Sequence, residues 1–264
     1  MATPVWKNLR TRISDHLVRR WPVNGRQSEA SAAIVSFCFD DFYRSAAQDG
    51  AETLDRHAMK ATYYAAGGLM GSTCEGLDLF ARADLEELIR HGHEIGCHTF
   101  NHVRLPDCDG ETIEEEIARN RSFILDFADR LASFAYPFGA VSVRSKYLVG
   151  RHFPVCRGID AGINSGLIDF GQLKAVEITP ALSLPRVRAL LDSAKAMRGW
   201  LIFFTHDVSR SPSEHGCRTS DLRAIIDKVG ERGMEVLPVG AAAAKVNPFL
   251  KRERLSSDTG VSAV

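Results

Sequence analysis

Short apolar runs alternate with longer amphipathic stretches along most of the chain, and the two patterns have different periods. The runs at 34–39, 61–66, 94–97, 133–136, 155–159, 173–178, 201–205 and 235–239 are compact and almost continuously apolar. Such runs predict strands covered on both faces. Between them, 49–60, 82–91, 109–130, 142–153, 185–198 and 219–231 predict helices. In 109–130, for example, Ile113, Ile117, Ile124, Leu125 and Phe127 are apolar while the opposite face is charged. Pro185 stands where a helix begins, and Thr219 or Ser220 is placed to cap another. Strands that alternate with helices imply a parallel sheet. Seven or eight such units favour an α/β fold of the (β/α) barrel type over an open sheet.

The ends of the chain depart from this pattern. Trp6, Leu9, Ile13 and Leu17 recur at helical spacing among Lys7, Arg10, Arg12, Arg19 and Arg20, and Pro22 follows. The interspersed cations leave no continuous apolar region of the signal-peptide kind. Residues 1–30 therefore read as a basic amphipathic helix and a polar linker, 31–245 as the barrel domain, and 246–264 as a polar tail. The helix, within residues 5–21, either docks on its own domain or on a second subunit, or adsorbs to an anionic membrane surface.

Composition removes several alternatives. The chain has 264 residues, 45% of them hydrophobic and 25% charged, which is enough for a sizeable core. Formal net charge is zero and no basic stripe carries interleaved aromatics, so nucleic acid is not an expected partner. No stretch approaches the length of a membrane span. The six cysteines form no metal-type or staple-like spacing, and Cys38, Cys97 and Cys156 fall inside apolar runs. All six read as reduced thiols, which fits a cytoplasmic compartment.

The chemistry-bearing residues gather at the ends of the predicted strands. Asp40 and Asp41 close the first, and His98 and His102 follow the third. Tyr136, Pro137, Phe138 and Gly139 follow the fourth, and His206 follows the seventh. In a parallel barrel these positions share the carboxyl-terminal mouth, where such folds carry their chemistry. Taken alone, the Asp pair reads equally as a solvated turn, and a His-x-x-x-His as two unrelated surface histidines. Together they supply a two-His, one-carboxylate metal set with one acid left over. His206 reads as either a satisfied core residue or a catalytic one. His91 and His93 precede their strand and read as structural, while His16, His57, His152 and His215 read as surface or helix-end residues.

Phe39-Asp40-Asp41-Phe42, with Gly92-His93-Glu94-Ile95-Gly96-Cys97-His98-Thr99-Phe100-Asn101-His102, resembles the first two motifs of the polysaccharide deacetylases. This is the NodB-homology group, carbohydrate esterase family 4. Tyr136 to Gly139 resembles the third motif, and Phe204-Thr205-His206-Asp207 the fifth. The likeness spans roughly residues 33 to 240. It implies a distorted (β/α) barrel and hydrolysis of N-acetyl groups on an amino sugar within a glycan. It also implies a metal on Asp41, His98 and His102, Asp40 as general base and His206 as general acid. Tyr136 to Gly139 would wall the substrate groove and offer the oxyanion a backbone N–H. Zinc suits the ligand set best, and Mn, Co, Ni or Fe fit the same triad.

Two departures stand out. Many members carry Arg two residues before the third-motif Pro, where this chain has Ala135. Arg157, a substrate-side candidate, either supplies that cation or forms a structural ion pair. The fourth motif has no clear counterpart, with Asp160 and Trp200 as stand-ins. Hydrolysis of a small non-sugar amide and catalytically idle glycan binding are the competing functions. The basic N-terminal segment would suit a lipid-linked saccharide at the inner membrane face.

Overall fold

The computed structural model describes Val18 and residues 22–248. The proposed membrane-contacting helix and the polar tail lie almost wholly outside the described residues.

Eight strands build the main sheet: β1 (Ile34–Asp40), β2 (Thr62–Ala65), β3 (Glu94–Cys97), β4 (Ser133–Ala135), β5 (Val155–Arg157), β6 (Val176–Glu177), β7 (Trp200–Thr205) and β8 (Glu235–Val236). The hydrogen-bonded order is β6-β7-β1-β2-β3-β4-β5, with β8 against the first residues of β1, and every pairing is parallel. The helices are α1 (Ala51–Asp55), α2 (Arg82–Arg90), α3 (Gly110–Leu125), α4 (Val143–His152), α5 (Leu184–Met197), α6 (Thr219–Gly230) and α7 (Val239–Val246). The sheet curls into the distorted barrel that the alternation predicts. Backbone hydrogen bonds from Leu173 to Cys156 and from Gly158 to Leu173 tie the segment entering β6 to β5, so the chain bridges the gap between the edges.

A period of two decides which side chains face the barrel interior. Ile34, Cys38, Tyr64, Ala135, Val155, Trp200, Ile202 and Phe204 pack in one interior cluster. Val35, Phe37, Phe39, Tyr63, Phe134, Cys156, Leu201 and Phe203 pack outward in the core shared with the helices. Asp40 is in phase with Ile34, Ser36 and Cys38, so it points inward at the carboxyl end of β1.

Several polar interior residues are paired. Trp200 donates its Nε1–H to Ser36 Oγ at 2.9 Å, and the Ser36 hydroxyl donates to Leu237 O at 2.7 Å. Helix α7 closes the amino-terminal mouth. The Val239 N–H donates to Thr62 Oγ1 at 2.8 Å and the Gly240 N–H to Glu94 Oε2 at 2.9 Å, which places a carboxylate at the positive end of the helix. An apolar Ala-rich stretch carries no amphipathic stripe, so periodicity does not reveal this helix. It is helical because it is buried as a plug.

Other segments differ from expectation in length. The helix expected over 109–130 ends at Leu125, and that over 49–60 becomes a π-turn at Ala46–Gly50 followed by α1. Part of the expected linker, Gly25–Gln27, is a strand paired antiparallel with Leu167–Asp169. The glycine-rich stretch after β2 contains a short hairpin, Thr73–Cys74 against Leu77–Asp78.

Candidate metal and catalytic centre

The two adjacent aspartates part company because the strand ends between them. Asp40 keeps the inward phase of β1. Asp41 adopts a left-handed backbone, φ 49°, and turns toward the loop after β3. Thr99 at φ 59° and His102 at φ 53° bend that loop back on itself, and Phe138 at φ 58° shapes the loop after β4. Positive φ is costly for residues with a Cβ, and four such residues converge on one mouth.

Asp41, His98 and His102 each offer a ligand atom within 4.8 Å of the others. His102 Nε2 lies 3.1 Å and His98 Nε2 3.6 Å from the Asp41 carboxylate. His98 Nδ1 faces the Ala135 carbonyl at 2.7 Å, so it must carry the proton, leaving the Nε2 lone pair directed at the cluster. Asp41 Oδ1 is buried with no hydrogen-bond partner. An orphaned carboxylate oxygen facing two imidazoles is what a divalent cation would satisfy, so the residues fit a metal.

The protonation states agree. Burial, followed by the charge of Asp40, holds the Asp41 carboxyl well above the usual range when no cation offsets them. Burial is also the largest cause for the histidines, lowering His98 to about 3 and His102 to about 4. Both rings are therefore neutral and ready to ligate far below neutral pH. In chelator-treated protein, their NMR signals should keep the neutral signature down to about pH 5. Protonation of either ring near pH 6.5 would contradict this burial.

The histidine loop is held from α3. Glu116 Oε2 accepts from the backbone N–H of Phe100 at 3.0 Å and of Asn101 at 2.7 Å, and Thr99 Oγ1 accepts from Val103 N–H at 3.1 Å. One turn on, Asn120 donates to Ala65 O and accepts from Gly67 N–H, both at 2.8 Å. Sequence reading missed both residues. The available signal was a pair of polar residues four apart on the face of α3 that buries Ile113, Ile117 and Ile124. Replacing Glu116 with Ala should weaken metal binding about 10–100-fold, the usual effect of losing an outer support. Unchanged affinity by isothermal titration would show that the loop holds its shape without it.

Asp40 sits apart from the triad on a buried cation. Arg157 Nη2 contacts both Asp40 carboxylate oxygens, and Nη1 donates to Gly158 O at 2.8 Å. Burial pushes the Asp40 carboxyl up, but the Arg157 charge, followed by His98, His206 and the hydrogen bonds from Arg157, brings it below the ordinary carboxylate value. Asp40 is thus ionised despite its burial.

His206 follows β7, the strand that pairs with β1 on the side away from β2. Its backbone N–H and its Nδ1 both meet the His215 carbonyl at 3.2 Å, and Thr205 Oγ1 donates to the same oxygen at 3.1 Å. A carbonyl partner fixes the Nδ1 proton and leaves Nε2 as the exchanging nitrogen. His215, read from sequence as a surface residue, lies in the groove. Its ring is 5.4 Å from that of His206, and its Nδ1 is 2.9 Å from Glu177. A single cavity of about 570 Å³ contains Asp40, Asp41, His98, His102 and His206.

The remaining expected residues divide. Phe138, 61% exposed, and Gly139 line the groove, with Ile159 packed over Gly139. Tyr136 reaches the groove, but its backbone N–H donates to Arg157 O at 3.0 Å, because the β4–β5 ladder runs one residue past Ala135. That N–H is committed to the sheet and not offered to an oxyanion. The Tyr136 hydroxyl donates to Gly171 O at 3.0 Å, and Pro137 is buried. Arg157 is not a groove residue but lies fully buried beneath Asp40. Trp200 opens β7 at the far end of the barrel, and Asp160 lies outside the groove, so neither stands in for the fourth motif. His93 is structural, as expected: its Nδ1 accepts from Ala61 N–H at 3.1 Å.

The parallel barrel thus gathers a His–His–Asp cluster that could hold a metal, and a separate acid, at its carboxyl mouth. Residues 27–152 match the model of the polysaccharide deacetylase family. The fold recurs at low identity in solved structures. The Xyl-CE4 domain of a multidomain xylanase from the hindgut metagenome of Trinervitermes trinervoides is 17% identical, with TM-score 0.58 over 85% of this chain and 92% of that one. A family 4 acetyl xylan esterase from Clostridium thermocellum, in complex with a cobalt ion, is 22% identical, with TM-score 0.56 over 78% and 88%. A CE4 family pseudoenzyme from Bacillus anthracis is 15% identical, with TM-score 0.54 over 81% and 66%. No curated protein matches the sequence significantly.

Proposed function

We propose that this protein is a metal-dependent hydrolase that removes N-acetyl groups from an amino sugar within an oligo- or polysaccharide. The observation that carries the proposal is the ionised Asp40 beside, and separate from, the Asp41–His98–His102 cluster. Asp41, His98 and His102 hold a divalent cation, with zinc the best match to the mixed imidazole and carboxylate donors. When bound, that cation supplies Lewis acidity toward the acetyl carbonyl and makes water more acidic.

Asp40 accepts the proton of the attacking water. Its pairing with Arg157 keeps it ionised, and its place at the end of β1 aims it into the groove. His206 protonates the leaving amine through Nε2 while its Nδ1 stays on the His215 carbonyl. Phe138 supplies an exposed ring against which a sugar face can stack, its centroid 4.4 Å from that of His102.

The groove is partly walled by exposed side chains, Phe138 and His215 among them, which favours a glycan over a small amide. The pseudoenzyme among the structural relatives makes idle glycan binding the relevant alternative. Retention of both an acid and a base argues for turnover. The basic segment before Pro22 favours a lipid-linked substrate. Acetate release from N-acetylated glycans, presented free and lipid-linked, tests the assignment. Metal-loaded protein that binds these glycans but releases no acetate is a binder and not an enzyme.

A further inference from the structure

We propose that a cavity on the outer side of the barrel, between α1 and α6, is a binding site for a phosphate ester, held by four arginines and the amino end of α6. The site is separate from the metal and catalytic centre, and its test needs no turnover.

The cavity, of about 430 Å³, is lined by Arg56, Arg210, Arg218 and Arg223. They come from the residue after α1, the loop after β7, the residue before α6 and the second turn of α6. The formal net charge of the chain is zero, so this gathering of cations is local. Arg56 and Arg218 each meet one acid of their own helix, Glu52 at 2.6 Å and Asp221 at 3.7 Å. Arg210 and Arg223 have no ion pair or hydrogen bond among the described residues. A guanidinium carries five N–H donors, so even the paired arginines keep some to offer. No side-chain oxygen caps α6 at Arg218, which leaves the first N–H groups of that helix available to an anion at its positive end.

The fold sets this arrangement in advance. Val208–Ser209 runs parallel to Cys217–Arg218. Asp207, fully buried, pins the loop between them. Its carboxylate accepts from the Ser213 N–H at 3.2 Å and from the Ser213 hydroxyl, and its carbonyl accepts from the Cys217 N–H at 2.9 Å. Gly216 is required there, because a Cβ would stand 1.9 Å from Asp207 Oδ1. On the α1 side, Gly50 lets the π-turn approach the loop, since a Cβ on it would stand 3.2 Å from Val208 Cγ2. One loop thus presents Ser213 and His215 to the catalytic groove, and Arg210 and Arg218 to the cavity.

The mixture of charges names the ligand class. Asp49 and Glu52 share the wall with the arginines. Carboxylates repel a polyanion such as nucleic acid, whereas a single phosphate group is matched by arginine forks. Glu52 is engaged by Arg56. The Asp49 carboxylate has no partner among the described residues and accepts a hydroxyl of the group that bears the phosphate. A phosphorylated sugar and a glycerol phosphate headgroup share this chemistry.

The test compares full-length, metal-loaded wild type with Arg210→Gln/Arg223→Gln and Arg186→Gln/Arg188→Gln. The second variant removes the same charge from exposed positions on α5 that are not part of the cavity wall. Each protein is titrated calorimetrically with inorganic phosphate and sedimented with phosphatidylcholine vesicles that carry phosphatidylglycerol. Loss of charge-assisted hydrogen bonds in Arg210→Gln/Arg223→Gln should weaken binding about 10-fold, while the α5 variant binds like the wild type. Binding of inorganic phosphate that weakens in this way marks a soluble phosphate ester as the ligand. Binding confined to the vesicles, and weakened in the same variant, marks a lipid headgroup, and either result supports the site. Equal binding by the wild type and Arg210→Gln/Arg223→Gln overturns it. That outcome includes phosphate held only at the metal centre, whose cavity neither arginine lines. An equal loss in the α5 variant, or a wild type that binds neither probe, overturns it as well.

Discussion

Asp40→Asn should lower deacetylation by roughly 10²–10⁴-fold while leaving a full equivalent of metal bound. Asn keeps the shape of the side chain and an oxygen for Arg157, but it cannot take a proton. The metal cluster does not use Asp40, so its ligand set is intact. The substitution has a structural cost that must be separated from the chemical one. It removes the counter-charge of a fully buried guanidinium, and breaking a buried ion pair typically costs about 3–5 kcal/mol. The Asn oxygen still accepts a hydrogen bond, which places the loss below that range. Activity is therefore measured well under the unfolding temperature of the variant, with metal content checked on the same sample. Turnover equal to wild type in a folded, metal-loaded Asp40→Asn protein removes Asp40 from the base role.

The resolution of the Asp pair shows what a sequence can and cannot convey. The apolar run before it makes β1 legible, and the period of two then gives Asp40 its inward direction. The run says nothing about Asp41, because its direction depends on one left-handed residue at the strand end. Short strands separated by amphipathic helices identify the barrel, since burial on both faces leaves a continuous apolar trace. Helix α7 leaves no comparable trace, because its run of small alanines gives no contrast between an apolar and a charged face before Lys245. The histidines of the centre were legible by spacing, but their supports were not. Glu116 and Asn120 are polar residues in an apolar stripe, and only packing of α3 against the loop shows whom they serve. The Tyr136 N–H was assigned to the groove on resemblance, whereas the register of β4 on β5 decides where it points. His215 became a groove residue through the path of the loop after β7, which no local pattern encodes. Arg157, a cation next to a strand-end Gly, stands 117 residues from the acid it meets, and only the fold brings the two together.

Removal of one imidazole should abolish tight metal binding. His98→Ala deletes the most buried of the three candidate ligands, the one whose tautomer is fixed by the Ala135 carbonyl. Two ligands remain, His102 and Asp41, both nearer the solvent, and a two-ligand site does not hold a divalent ion against chelators. Wild-type protein should therefore gain thermal stability on metal addition, by about 2.7 kcal/mol when free metal is a hundredfold above Kd. His98→Ala should gain none of it. The comparison is informative because the substitution also leaves the Ala135 carbonyl without its donor and a small cavity beside Tyr64. Both effects lower the baseline stability of the variant without altering its response to metal. The metal-dependent shift, and not the absolute Tm, is the quantity that reports ligation. Acetate release should fall with it, because the Lewis acidity that a bound metal would supply is lost. A His98→Ala protein that binds one equivalent with wild-type affinity and shows the same shift would place the metal elsewhere. The orphaned Asp41 oxygen would then need a different partner.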